Sequence, residues 1–144
     1  MIAPNMAKQI VGFQAMMEYA ANNFPNLFSG YDLTVRESHQ ITKKDTSGTA
    51  KAVIKYFNQL GIPFDASQID MIRNEKKQLE MGVPEEHLKG HGWHTYTLKS
   101  NEGDVSLQFT HNVNGREVYA RGTLDAIKYL DKKLIAGERG KVYS

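Results

Sequence analysis

The sequence predicts an α+β domain, an open mixed β-sheet of about four strands with helices packed on one face. Two patterns carry that expectation. Residues 31–37, 93–99 and 105–113 alternate apolar and polar side chains in the period of a half-buried strand, with a weaker alternation near Ile69 and Met71. Residues 6–24, 50–60 and 122–136 instead repeat apolar side chains at three- and four-residue steps. At 144 residues the chain is long enough for a sizeable core and too short for two full domains.

The first helical stripe runs through Met6, Ile10, Phe13, Met17, Ala20 or Ala21 and Phe24 before Pro25 stops it, and it is read as core. Pro25-Asn26 and Ser29-Gly30 turn the chain into the strand Tyr31-Asp32-Leu33-Thr34-Val35-Arg36-Glu37. The second helix opens near Ala50, buries Val53, Tyr56, Phe57 and Leu60, and is closed by Gly61-Ile62-Pro63. Residues 66–83 are ambiguous. Ile69, Met71 and Arg73 alternate like a strand, Glu75-Lys76-Lys77-Gln78 suits the start of a helix, and strand with loop is favoured. Residues 82–92 read as a long connection, a kind of segment that often carries function. Asn101-Glu102-Gly103-Asp104 joins the last two strands as a hairpin. Val105, Leu107, Phe109, His111 and Val113 share one face, so His111 is read as a hydrogen-bonded sheet histidine. The last helix, residues 122–136, is expected to bury Leu124, Ile127 and Leu134. No internal repeat is visible.

One short stretch offers chemistry. From Arg36 to Thr49 the chain passes from strand to helix through Glu37, His39, Lys43, Lys44 and the turn Thr46-Ser47-Gly48-Thr49. The first backbone N–H groups of a helix lack internal partners and sit at the positive end of its dipole, so they bind anions. Ser47 or Thr46 suits the N-cap, Gly48 lets the backbone approach a ligand oxygen, and Thr49 adds a hydroxyl. Lys43 and Lys44 bring ammonium groups suited to a carboxylate. His39 supplies a proton donor near neutrality. If the strand continues through it, Glu37 and His39 share a face about 7 Å apart, and Glu37 is expected to orient His39 and keep it protonated. Caps and turns have the same composition as anion cradles.

Glu37-Ser38-His39-Gln40 followed by Lys43-Lys44-Asp45-Thr46-Ser47-Gly48-Thr49-Ala50 resembles the substrate-binding motif of the dihydrodipicolinate reductase family. Ala3-Pro4-Asn5-Met6 resembles the family's interdomain hinge, and residues 111–122, with Arg116 and Tyr119-Ala120-Arg121-Gly122, resemble its late strand and the start of its last helix. Gln40 stands where many bacterial members have a second histidine, and Thr46-Ser47 where they have Ala-Pro-Ser; both differences look like the plant-like branch. The resemblance implies lysine biosynthesis by the diaminopimelate route. NADPH or NADH would reduce a cyclic dicarboxylate, with His39 and Lys43 as proton donors and Gln40, Ser47, Gly48 and Thr49 binding substrate. Ala3, Pro4, Asn5 and Met6 would lie toward the cofactor. It also implies a homo-oligomer, dimer or tetramer, formed through the sheet.

Composition excludes several other classes. Eighteen basic against sixteen acidic residues leave a net charge of +2, too small to argue for nucleic acid. No apolar run approaches the roughly 20 residues of a membrane span. With no cysteine there are neither disulfides nor thiolate metal sites, which fits a reducing compartment; the cytoplasm is expected, with the plastid stroma as the alternative. His87, His91 and His94 have tempting spacing, but the glycines around His91 argue for a loop rather than a rigid ligand helix, and no metal is expected.

There is no G-x-G-x-x-G and no strand-turn-helix unit before Asn5, so the dinucleotide-binding domain is expected to be absent. Residues 1–144 are read as one substrate-binding and oligomerisation domain that cannot reduce substrate alone. The rival readings are a non-catalytic assembly module and a binder of phosphorylated ligands at the same helix terminus.

Overall fold

The computed structural model describes residues 5–143. In chain order the elements are α1 (Lys8–Asn23), β1 (Tyr31–His39), α2 (Gly48–Gln59), β2 (Asp70–Ile72), α3 (Glu75–Glu80), β3 (His91–Ser100), β4 (Ser106–Asn114) and α4 (Glu117–Ile135). The four strands form one open sheet in the order β2-β1-β3-β4. β2 runs parallel to β1 because α2 carries the chain back between them, whereas β3 and β4 are antiparallel neighbours joined by the hairpin. The expected mixed sheet is therefore present, with α1 and α2 on one face.

Register decides what that face contains. Leu33 lies opposite Leu98 and Leu98 opposite Leu107; Val35 lies opposite Tyr96 and Tyr96 opposite Phe109. Leu33, Val35, Tyr96 and Leu98 of these rows meet the stripe Ala50, Val53, Ile54 and Phe57 of α2 together with Met17 and Ala21 of α1, Phe109 packs against them half-buried, and Leu107 at the outer strand is exposed. The Phe57 ring sits 5.7 Å from Tyr96 and 6.0 Å from Phe109. The next row on the same face, Glu37 opposite His94 and His94 opposite His111, is polar. The core thus runs into an ionisable row that is buried at Glu37 and His94 and half-buried at His111.

Several expectations need correction. Phe24 falls just past the end of α1 and is exposed, so the first stripe ends at Ala21. Residues 75–80 form a helix rather than loop, since Asn74 Oδ1 accepts from Lys77 N at 3.2 Å and caps it. β3 begins at His91, shortening the long connection, which also contains a 3-10 turn at Glu85–His87.

The largest difference concerns α4. It starts at Glu117, and Leu124, Ile127 and Leu134 are 57, 58 and 47% exposed. Only Gly122 of this helix is buried, lying against the Met6 carbonyl so closely that a Cβ there would collide with it. The amphipathic pattern forms the helix expected, but no apolar surface among the described residues covers its stripe. Among the described residues no helix is long and apolar enough to cross a membrane.

Candidate functional site

Glu37 is the centre of the polar row and has no exposed surface. Its Oε2 accepts from Ser47 N at 2.8 Å, and Oε1 accepts from Arg73 Nη2. His94 Nε2 lies 3.6 Å from Oε2, and His39 Nε2 lies 4.0 Å from Oε1. Burial pushes the carboxyl up, but the His94, Ser47 and Arg73 contacts together outweigh it and hold the pKa at about 2. Glu37 is a carboxylate at every physiological pH.

His39 sits at the end of β1 with its ring across Gly92, where a Cβ would approach His39 Cε1 to 2.9 Å. Its Nδ1–H donates to His91 O at 2.9 Å, which leaves Nε2 as the free nitrogen, buried and without a hydrogen-bond partner among the described residues. The expectation that Glu37 keeps His39 protonated is overturned. Burial, followed by the neighbouring His94, pushes His39 down to about 4, and the attraction of Glu37 is too small to reverse this. His111 is pushed down to about 3, first by burial and then by His94 and His39. It is the sheet histidine expected, 3.4 Å from the Tyr96 hydroxyl and stacked on His94 at 4.6 Å.

Of the histidines weighed for metal, His91 instead accepts from Ser38 Oγ–H at 2.8 Å and donates through Nδ1–H to His87 O at 3.0 Å. Glu37, His39 and His94 do bring three donor atoms within 4.8 Å of one another, a set that would fit a metal ion. The charge of Glu37 is, however, already answered by Arg73.

The turn before α2 is built as its composition suggests. Ser47 is the N-cap, its Oγ accepting from Thr49 N at 3.2 Å. Since Ser47 N is committed to Glu37 and Thr49 N to Ser47, Gly48 N–H remains uncommitted among the described residues. Thr49 Oγ1 accepts from Asn5 Nδ2 at 3.1 Å, and Asn5 Oδ1 accepts from Ala7 N at 2.8 Å. Ala3 and Pro4 lie outside the described residues.

Two concavities open beside this turn. One, of about 410 Å³, is lined by Lys43, Ser47, Gly48 and Thr49 together with Asn5, Met6 and Tyr119. The other, of about 170 Å³, is lined by His39, Gln40, Lys43, Arg116 and Tyr119 among others. Lys43 and Tyr119 belong to both, so the helix terminus and His39 are brought to adjoining hollows rather than into one. Lys43 Nζ donates to Asp45 Oδ1 at 3.0 Å and is only partly exposed. The hollow at the helix terminus therefore offers an ammonium, a free backbone N–H and a hydroxyl, a set of donors for a carboxylate.

Comparison with known proteins bears on this geometry. The family model described as "Dihydrodipicolinate reductase, C-terminus" matches residues 10–144. The chain belongs to the dihydrodipicolinate reductase family. It is 52% identical over 144 residues to 4-hydroxy-tetrahydrodipicolinate reductase 1, chloroplastic, of Arabidopsis thaliana, covering 99% of this chain and 42% of that protein. It is also 52% identical to a probable 4-hydroxy-tetrahydrodipicolinate reductase 1, chloroplastic, of Oryza sativa subsp. japonica, again covering 99% of this chain and 42% of the relative. The chain thus spans about two fifths of the length of these relatives. A dipicolinate-bound dihydrodipicolinate reductase from Paenisporosarcina sp. TG-14 shares the fold, with a TM-score of 0.53 at 19% identity over 88% of this chain and 47% of that one.

The sequence assigns no role at this site to four residues that the fold brings there. His94 and Arg73 reach Glu37 from β3 and from the segment after β2; their alignment with Glu37 depends on strand register, which spacing along the chain does not reveal. Gln78, fully buried, donates through Nε2 to His39 O at 2.7 Å and Ile72 O at 3.2 Å. Tyr119 lies in a stretch whose resemblance was noted without a role.

Proposed function

We propose that this chain is the substrate-binding and oligomerisation domain of a 4-hydroxy-tetrahydrodipicolinate reductase, and that the hollow at the amino end of α2 takes one carboxylate of a cyclic dicarboxylate. The observation that carries the reading is the convergence of Lys43, Gly48 N–H and Thr49 on one cavity, beside a second hollow that contains His39. A helix N-terminus with an adjacent ammonium stabilises a ligand's negative charge. Gln40, beside His39, offers a neutral amide to the other end of the ligand.

The nicotinamide cofactor, NADPH or NADH, supplies hydride when bound; the turn of the β1–α2–β2 crossover lacks the G-x-G-x-x-G dinucleotide fingerprint, and Asn5 and Met6 are the side chains here that would lie toward the cofactor. Proton delivery falls to Lys43 and His39. Lys43 already reaches both hollows, while His39 carries its free nitrogen inward toward Glu37 and is neutral at pH 7 in the ligand-free protein. Lys43 is therefore the donor for the resting site; for His39 to serve, a dianionic ligand must raise its proton affinity and its ring must turn Nε2 from Glu37 toward the hollow. The names of the plant relatives favour the plastid stroma over the cytoplasm for this chain. Assembly into a dimer or tetramer would use the sheet face opposite α1 and α2, where Thr34, Thr95 and Thr110 lie.

Isothermal calorimetry tests the ligand class. Pyridine-2,6-dicarboxylate should bind the 144-residue chain, inorganic phosphate should not compete at equal concentration, and Lys43→Ala should weaken dicarboxylate binding at least ten-fold. Binding of phosphate alone would favour the phosphorylated-ligand reading instead.

A further inference from the structure

We propose that Arg73 is a positioning residue for the dicarboxylate site: its guanidinium shapes the loop between His39 and Ser47 and thereby places Lys43 against the amino end of α2. The inference rests on the reading of that hollow as a dicarboxylate site, but the observation behind it is independent. A guanidinium has five N–H groups in a rigid plane. Here all five have acceptors: Nε donates to Lys43 O at 2.7 Å, Nη1 to Glu37 O at 3.1 Å and Ile72 O at 3.3 Å, and Nη2 to Glu37 Oε1 and to Asp45 O at 3.3 Å.

The acceptors come from three pieces of chain. Glu37 belongs to β1, Ile72 to β2, and the Lys43 and Asp45 carbonyls belong to the loop itself. Among the described residues the loop's other ties are the Lys43 Nζ to Asp45 Oδ1 bond at 3.0 Å and two bonds from its own backbone. Between Gln40 and Ser47 its own backbone makes the turn bond Lys43 N to Gln40 O at 2.9 Å, and its far end is tied by Ser47 N to Glu37. Arg73 thus links the loop's middle to the same carboxylate that ties its end. Lys43, the one cation common to both hollows, is held through its own carbonyl, so its stem leaves the backbone from a fixed point.

Charge and shape are separable here. A lysine at position 73 keeps a positive charge for Glu37, but its single nitrogen cannot satisfy Glu37, Lys43 O and Asp45 O together. If neutralising Glu37 were the whole role, Arg73→Lys would preserve ligand binding. If the fork sets the loop, Arg73→Lys should stay folded yet lose at least ten-fold in affinity for pyridine-2,6-dicarboxylate. The amide resonances of residues 43–49 should also shift in the ligand-free protein.

The test is calorimetry with pyridine-2,6-dicarboxylate on wild type and Arg73→Lys, alongside urea unfolding and amide NMR of both. A folded Arg73→Lys chain binding within two-fold of wild type, with unmoved loop amides, overturns the proposal. Failure of wild type to bind dicarboxylate overturns the site reading, and this proposal with it, a result recognisable because the loop amides would still respond to the substitution. Should Arg73→Lys not fold, wild type decides alone. Slowly exchanging Arg73 Nε–H and Nη–H signals that shift on ligand addition are expected, and fast-exchanging, unresponsive signals overturn the idea.

Discussion

Replacing Glu37 by glutamine removes one charge from a fully buried carboxylate and leaves nearly the same shape. The carboxyl has a folded pKa of about 2 against an ordinary value of 4.5. Because the folded value is the lower one, ionisation stabilises the fold above pH 4.5, and that contribution is lost as pH falls toward 2. A difference of about 2.5 pKa units corresponds to about 3 kcal/mol at pH 7 and about 2 kcal/mol at pH 3.5. An independent route agrees: removing one partner of a buried ion pair costs roughly 3–5 kcal/mol because the other charge is stranded. Here the stranded group is Arg73, whose side chain is 16% exposed. Urea unfolding followed by circular dichroism should therefore show wild type more stable than Glu37→Gln by about 3 kcal/mol at pH 7, the gap narrowing by about a third at pH 3.5. A gap below about 1 kcal/mol, or one independent of pH across that range, would refute the view that this carboxylate's charge organises the site.

Two further perturbations probe its surroundings. His111 and His39 are held neutral by burial, at about 3 and about 4, while the unfolded chain protonates them near 6.5, so stability should fall as pH drops below 6.5. Each accounts for about 2 kcal/mol between pH 7 and 5, and His111→Phe should reduce the measured loss by that amount; an unchanged loss would contradict the burial of this imidazole. Gly122→Ala would drive a Cβ into the Met6 carbonyl and should displace α4 from residues 5–7. Amide NMR should then show shifts at Asn5, Met6 and Tyr119 with the sheet unaffected, and wild-type shifts at these positions would refute that seating.

The sequence made the helix cap legible because its parts are adjacent: Ser47, Gly48 and Thr49 are consecutive, and they stand directly before a helical stripe. Strand β1 was equally clear, since Leu33, Val35 and Glu37 alternate inward. The position of His39 at the end of β1 was legible, but its protonation state was not. Adjacency to Glu37 suggested a raised pKa, whereas burial and His94 from another strand lower it. α3 was missed because six residues hold too little periodicity to outweigh the strand-like alternation before them. α4 was recognised, yet its stripe lies open because a hydrophobic pattern names the face that is covered, not the surface that covers it.

Local order along the chain determined the α+β class, the position of the cap and the presence of an imidazole and an ammonium near it, because each depends on residues within one turn or one strand. Only the folded chain decided how those groups behave. The register that sets Glu37 beside His94 joins residues 57 positions apart, and the return of Arg73 from β2 to the loop before α2 joins residues 30 apart. Protonation and loop shape follow from those encounters in a region poor in water, where electrostatic and hydrogen-bond energies are largest.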